Sequence, residues 1–213
     1  EKREVIEIIG AEEYDSFGSY GFTFLGEDRF VYINIDGNAC VYDLETGSVS
    51  KKLEEDIFQV DADMRGNYLL LQGYDDCYQV YDGNTLEKLG TTPVMPSDLS
   101  GNYQLVSSEG ILADVSITME EGNSTYNLFF VDLNTMELLA EYPIGSKVPE
   151  EMQVKDGIAY LLLGEYIQGY MDCNTHVVAL SVTSGEVLWE TVIDREFPGL
   201  LNFPDAADAT DML

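Results

Sequence analysis

Short apolar runs bounded by Gly, Asp and Asn recur along this chain from one end to the other. Runs of this kind, alternating in character and separated by turn residues, predict strands and tight turns with helices nearly absent. In the first stretch, 20–25 leads through Gly26-Glu27-Asp28 into 30–35. Asp36-Gly37-Asn38 then makes a hairpin turn from residues that tolerate φ > 0. Strands at 39–44 and 49–53 follow, with Thr46-Gly47 between them. A second stretch repeats the plan at 58–61, 68–72, 78–81 and 86–89, with turns at Arg65-Gly66-Asn67 and Tyr74-Asp75-Asp76. The third and fourth copies align better with each other. Gln104-Leu105-Val106 before Gly110-Ile111 matches Met152-Gln153-Val154 before Gly157-Ile158. Their second strands, 111–117 and 158–163, run into longer hairpins at 119–125 and 164–175, and outer strands follow at 138–143 and 186–192.

One phrase marks each copy. It reads Val41-Tyr42-Asp43-Leu44-Glu45-Thr46-Gly47, then Val80-Tyr81-Asp82-Gly83-Asn84-Thr85-Leu86. It returns as Phe130-Val131-Asp132-Leu133-Asn134-Thr135-Met136 and as Ala179-Leu180-Ser181-Val182-Thr183-Ser184-Gly185. The anchor positions 43, 82, 132 and 181 are 39, 50 and 49 residues apart. Periods of this length with about four strands each predict an all-β fold, a β-propeller or propeller fragment of about four blades of four antiparallel strands. The blades are expected at 17–54, 57–90, 102–144 and 150–193, in a single domain spanning 1–213. The stretch 4–9 has the alternation of an outer strand and is expected to complete a blade, whereas 197–213, with Pro198 and Pro204, has no strand periodicity. Four blades and a stray strand suggest an arc of a larger propeller, a ring completed by another chain, or a small closed ring.

In the fourth copy, Val177-Val178-Ala179-Leu180-Ser181-Val182-Thr183-Ser184-Gly185-Glu186-Val187-Leu188-Trp189 resembles the repeat of the PQQ-like, quinoprotein-type β-propellers. The first copy shares Val41-Tyr42-Asp43 and Thr46-Gly47 but lacks the Trp, and the second and third drop the Gly as well. The resemblance implies the fold; many members of that family bind no quinone and serve as protein-binding scaffolds. A quinone needs cationic groups to hold its carboxylates, and this chain has ten Lys and Arg in all. No cofactor is therefore expected.

Charge narrows the partners. Ten Lys and Arg against 40 Asp and Glu give a net charge of −30, and no basic residue occurs between Lys88 and Lys147. Such a surface repels a phosphate backbone and an anionic membrane face, so nucleic acid is excluded as a partner. The acidity itself reads as solubility. A composition of 45% hydrophobic residues with 14 Tyr is that of a folded domain, and no run of apolar residues is long enough to insert in a membrane. Residue 1 is Glu, so a processed or excised chain is expected. Cys40, Cys77 and Cys173 form no CxxC pair. Cys40 and Cys77 lie in the corresponding strand of adjacent blades, as small buried hydrophobes or as a disulfide.

Few residues invite a chemical reading. The repeated Asp43, Asp82 and Asp132 are expected to accept N–H groups of the turns that follow them rather than to form a ring of ligands. Asp61-Ala62-Asp63-Met64-Arg65-Gly66 begins like a calcium loop but puts Arg65 at a ligand position and Gln72 where a bidentate Glu is needed. Other acidic groups, Glu54-Glu55-Asp56 and Asp75-Asp76, have no ligand spacing, and no metal site is expected. His176 is the only histidine, expected at the surface or in a hairpin, and no G-x-S-x-G accompanies it. Asn123-Ser124-Thr125 is a formal glycosylation sequon. No catalytic residue is assigned. The hairpin around Tyr166, Ile167, Tyr170 and Met171 is the candidate contact surface, because aromatic residues and Met are enriched in interface cores.

The expectation from these features is a non-catalytic scaffold that binds a protein or small ligand, as part of a larger extracytoplasmic bacterial protein. The alternatives are a carbohydrate-active enzyme with paired carboxylates about 5 to 10 Å apart, and a structural module whose ring is completed by a second chain.

Overall fold

The computed structural model describes residues 21–34, 36–63, 65–75, 77–93, 104–120, 123–166 and 173–193. The expected strand at 4–9 and the tail 197–213 lie outside the described residues. Among the described residues every regular element is a strand. Sheet 1 is β1 (Phe22–Leu25), β2 (Arg29–Ile33), β3 (Ala39–Asp43) and β4 (Ser48–Lys52). Sheet 2 is β5 (Gln59–Ala62), β6 (Tyr68–Gln72), β7 (Tyr78–Asp82) and β8 (Lys88–Thr91). Sheet 3 is β9 (Gln104–Val106), β10 (Ile111–Glu120), β11 (Asn123–Asp132) and β12 (Glu137–Gly145). Sheet 4 is β13 (Val148–Lys155), β14 (Ile158–Tyr166), β15 (Cys173–Ser181) and β16 (Val187–Ile193). Each sheet is an antiparallel meander in chain order.

The recurring phrase builds the same turn four times. The N–H after the anchor bonds back to the turn between the first two strands of its sheet. These bonds run from Leu44 to Asp28, Gly83 to Asn67, Leu133 to Gly110 and Val182 to Gly157, at 2.8–3.1 Å. The fourth residue after each anchor donates to the anchor carbonyl: Gly47 to Asp43, Leu86 to Asp82, Met136 to Asp132 and Gly185 to Ser181. That fourth residue is left-handed in every copy, with φ of 64°, 57°, 61° and 69°. Gly is at home there. Leu86 and Met136 hold the same conformation because their side chains are packed between sheets, Leu86 in the core of sheets 1 and 2 and Met136 against the core of sheets 2 and 3. Leu86 was expected to open a strand; it sits in the turn, and β8 begins at Lys88.

Three apolar layers join the sheets in chain order. Leu25, Val31, Ile33 and Val41 of sheet 1 meet Val60, Leu69, Leu71 and Tyr81 of sheet 2. Leu70, Tyr78 and Val80 of sheet 2 meet Val106, Leu112, Phe129 and Val131 of sheet 3. Ala113, Val115, Leu128 and Phe130 of sheet 3 meet Ala159, Leu161, Val178 and Leu180 of sheet 4. Both faces of sheets 2 and 3 are used, as the period-two alternation of their strands requires. Backbones also approach closely: within sheet 2 a Cβ on Gly83 would collide with the Gly66 carbonyl oxygen, and between sheets 2 and 1 a Cβ on Gly66 would collide with the Gly26 nitrogen.

One expectation is corrected. The hairpins of the third and fourth copies are longer mainly because their strands are longer. β10 and β11 pair continuously from Ile111↔Asp132 to Glu120↔Asn123, and β14 and β15 from Ile158↔Ser181 to Tyr166↔Cys173. Of the two readings of Cys40 and Cys77, the structure shows buried thiols and not a bridge.

Candidate interaction surface

The anchor carboxylates serve the turns. Asp43 Oδ1 accepts from the Thr46 N–H at 2.7 Å and its hydroxyl at 3.0 Å, and Asp82 Oδ1 accepts from the N–H groups of Asn84 and Thr85 at 2.9 and 2.7 Å. Asp132 Oδ1 accepts from the Asn134 N–H at 2.8 Å. The Thr46 backbone bond holds the Asp43 carboxyl below its ordinary range, and the Thr85 bond does the same for Asp82. The fourth copy keeps the turn with Ser181, whose hydroxyl lies 3.1 Å from that of Thr183. In the calcium-like stretch, buried Asp63 accepts from the N–H groups of Arg65 and Tyr68 at 3.0 and 2.7 Å and closes the β5–β6 hairpin. Among the described residues no three His, Cys, Asp or Glu side chains gather as metal ligands.

Of the expected contact residues, Tyr166 ends β14 with its backbone paired to Cys173, while Ile167, Tyr170 and Met171 lie outside the described residues. The base of this hairpin is where the structure departs from the sequence reading. His176 is buried at 9% exposure within β15, facing Leu163 and Val192, rather than at the surface. Its Nδ1 lies 2.8 Å from Glu190 Oε1 and its Nε2 3.3 Å from Glu165 Oε2. The strand pairing carries the ring inward, and the two carboxylates supply partners for both nitrogens. Contacts at both ring nitrogens let His176 tie β14, β15 and β16 together. Burial, with Glu190 adding to it, raises the Tyr142 hydroxyl above its ordinary range.

Two broad apolar faces belong to none of the three cores. On sheet 1, Phe22↔Tyr32, Phe24↔Phe30 and Phe30↔Tyr42 are cross-strand partners and share a face. Phe22 and Phe24 are 56% and 60% exposed. Phe30 stacks on Tyr42 with centroids 4.9 Å apart, and Phe22 meets Phe24 edge-on at 5.6 Å. At the other end of the arc, sheet 4 presents Tyr160 and Trp189, both partnered with Ala179, at 38% and 46% exposure and 6.5 Å between centroids. Leu162 and Val177 continue that face. Neither face is among the residues singled out from the sequence, although the alternating Phe22, Phe24, Phe30 and Tyr32 were a readable signal. A shallow groove between β9 and β13, lined by Leu105, Val115, Met152, Leu161 and the carboxylate-bearing Glu150 and Glu151, opens beside the third junction.

Sheets packed face to face in chain order, each a four-stranded meander, define the class: this is an all-β propeller arc of four blades. Among solved structures the chain is similar to the computationally designed Ika4 protein, with a TM-score of 0.51 and 19% identity over 74% of this chain and 88% of that one. It is also similar to Kuenenia stuttgartiensis hydrazine synthase, with a TM-score of 0.54 and 14% identity over 87% of this chain and 53% of that one. At such identities the likeness concerns the fold alone. No protein-family model and no curated protein matches the chain.

Proposed function

We propose that this chain is a non-catalytic β-propeller scaffold of the PQQ-like kind that binds protein through its end faces, within a larger extracytoplasmic bacterial protein. The observation that carries the reading is the pair of aromatic faces on sheets 1 and 4. Large exposed apolar patches on soluble proteins mark interaction sites, and Phe, Tyr and Trp are the residues interfaces favour. The extracytoplasmic bacterial setting rests on the repeat resemblance of 177–189. A second reading, a module whose ring is completed by a second chain, is favoured by the kind of face at each end. At every internal junction a forward face of one sheet meets a backward face of the next, and the two ends expose one of each.

The test combines binding of an apolar fluorescent dye with sedimentation across protein concentration. Phe24→Glu and Trp189→Glu are each expected to lower dye binding. Concentration-dependent dimer that either variant abolishes selects the second reading. Dye binding unchanged by both variants overturns the docking role, and turnover of aryl glycosides by the chain overturns the non-catalytic one.

A further inference from the structure

The junction between sheets 2 and 3 differs from its two neighbours in carrying a polar row on each side. Gln59, Gln72 and Tyr78 are successive cross-strand partners on β5, β6 and β7. Opposite them, Gln104 and Asp114 are partners on β9 and β10. Side chains of directly opposed residues stand on one face of a sheet, so these are two facing rows. Two hydrogen bonds tie them. Gln59 Nε2 donates to Gln104 Oε1 at 2.9 Å, and the Tyr78 hydroxyl donates to Asp114 Oδ2 at 3.1 Å. Gln72 sits between the two ties on its own row. Three polar atoms of this set are buried with no protein partner: Gln72 Oε1, Gln104 Nε2 and Asp114 Oδ1. Gln72 is 1% exposed and Asp114 4%.

Leaving such atoms bare costs about 1–3 kcal/mol each, and the two facing rows that carry all three specify what completes them. We propose that the space enclosed by the two ties is a binding site for one water molecule, donating to Gln72 Oε1 and Asp114 Oδ1 and accepting from Gln104 Nε2. The complement decides the ligand. A metal cation would face the Gln104 amide donor, and an anion would face two oxygens. Ammonium has no lone pair for Gln104, and a hydroxyl on a larger ligand has one proton for two acceptors. Water has two donors and a lone pair to spare, and buried waters typically make about three such bonds. Burial raises the Asp114 carboxyl to about 6, opposed by the Tyr78 bond and by the Val115 backbone N–H, whose contact falls short of a full hydrogen bond to Oδ1; a donor at Oδ1 acts in the same direction. Asp61, on the same face of β5 and also raised by burial, is turned to its own neighbour Ala62.

A crystal structure of the whole chain, with water-to-amide cross-relaxation in solution, tests the site. The expected result is one ordered water within about 2.7–3.2 Å of all three atoms, with a long-lived signal at the Gln104 side-chain amide. Gln72→Met keeps the volume and removes one acceptor; it is expected to lose the water signal and to lower the Tm by about 2–8 °C. Asp114→Asn keeps an oxygen acceptor and is expected to retain the water. Direct contact of Gln104 Nε2 with Gln72 Oε1 or Asp114 Oδ1, with no water between, overturns the proposal. So does a Gln72→Met protein with unchanged Tm and unchanged cross-relaxation.

Discussion

The fourth residue after each anchor shows how one backbone requirement is met in two ways. Gly47 and Gly185 adopt φ > 0 freely, while Leu86 and Met136 do so at a cost of about 1 kcal/mol that their packing offsets. A Cβ at Gly47 would come no nearer than 3.9 Å to another group, but one at Gly185 would meet the Glu141 carbonyl oxygen at 2.5 Å. Gly47→Ala is therefore expected to cost about 1 kcal/mol, and Gly185→Ala clearly more, as chemical denaturation of the two variants will show. Leu86→Gly relieves the backbone yet is expected to destabilise by about 1–2 kcal/mol, because the lost burial is the larger effect. Asp114 gives a pH dependence of the opposite sign to the turn carboxylates. Its folded pKa is raised to about 6 from 3.8, so its contribution is fully present below 3.8 and is lost as pH rises through about 6. At neutral pH the ionised form costs up to about 3 kcal/mol. Asp43 and Asp82, lowered by their turns, support the fold above 3.8 and lose that support as pH falls through their folded values. Asp114→Asn is thus expected to be more stable than the unmodified protein at about pH 7.5 and to lose that advantage at about pH 4, read from denaturation midpoints at both values.

At the scale of elements, the hairpin of β14 and β15 depends on the His176 triad. His176→Ala removes the contacts at both ring nitrogens and leaves Glu165 and Glu190 without the ring between them. The expected loss is about 1–3 kcal/mol, the carboxylates being partly exposed and therefore screened. Adding Glu190→Gln to His176→Ala should recover part of it, which a double-mutant cycle will measure. The strands and turns were legible wherever a turn residue announced itself, as at Asp36-Gly37-Asn38 or Thr46-Gly47, because those residues act locally. Leu86 and Met136 hid the same turn, since neither side chain signals φ > 0. The elongation of β10, β11, β14 and β15 was hidden too, because Gly164 and the polar Ser124 and Thr125 read equally as loop or as exposed strand. His176 and the row of Gln72 and Asp114 acquire their meaning only from residues facing them across strands and sheets. A single sequence does not express that relation.

At the scale of the molecule, sheet contacts are almost wholly sequential, and the repeat's periodicity was the part of the architecture most visible in advance. The chain's net charge is −30, and among the described residues few pairs offset it, such as Arg29 with Asp28 and Lys88 with Glu54. Raising the ionic strength from low salt should therefore raise the Tm by screening self-repulsion, a shift that a thermal melt series will register. The linear order of the three apolar junctions has a further consequence. Among the described residues, sheets 2 and 3 are each gripped from two sides, whereas sheets 1 and 4 are gripped from one. Cooperativity in such a stack is a nearest-neighbour property, and opening proceeds from the ends inward. Amide exchange should accordingly be slowest in β6, β7 and β10 and fastest in β4 and β16. A bound partner on either aromatic face would act as a terminal cap, slowing exchange in the sheet it covers and leaving the opposite end unchanged.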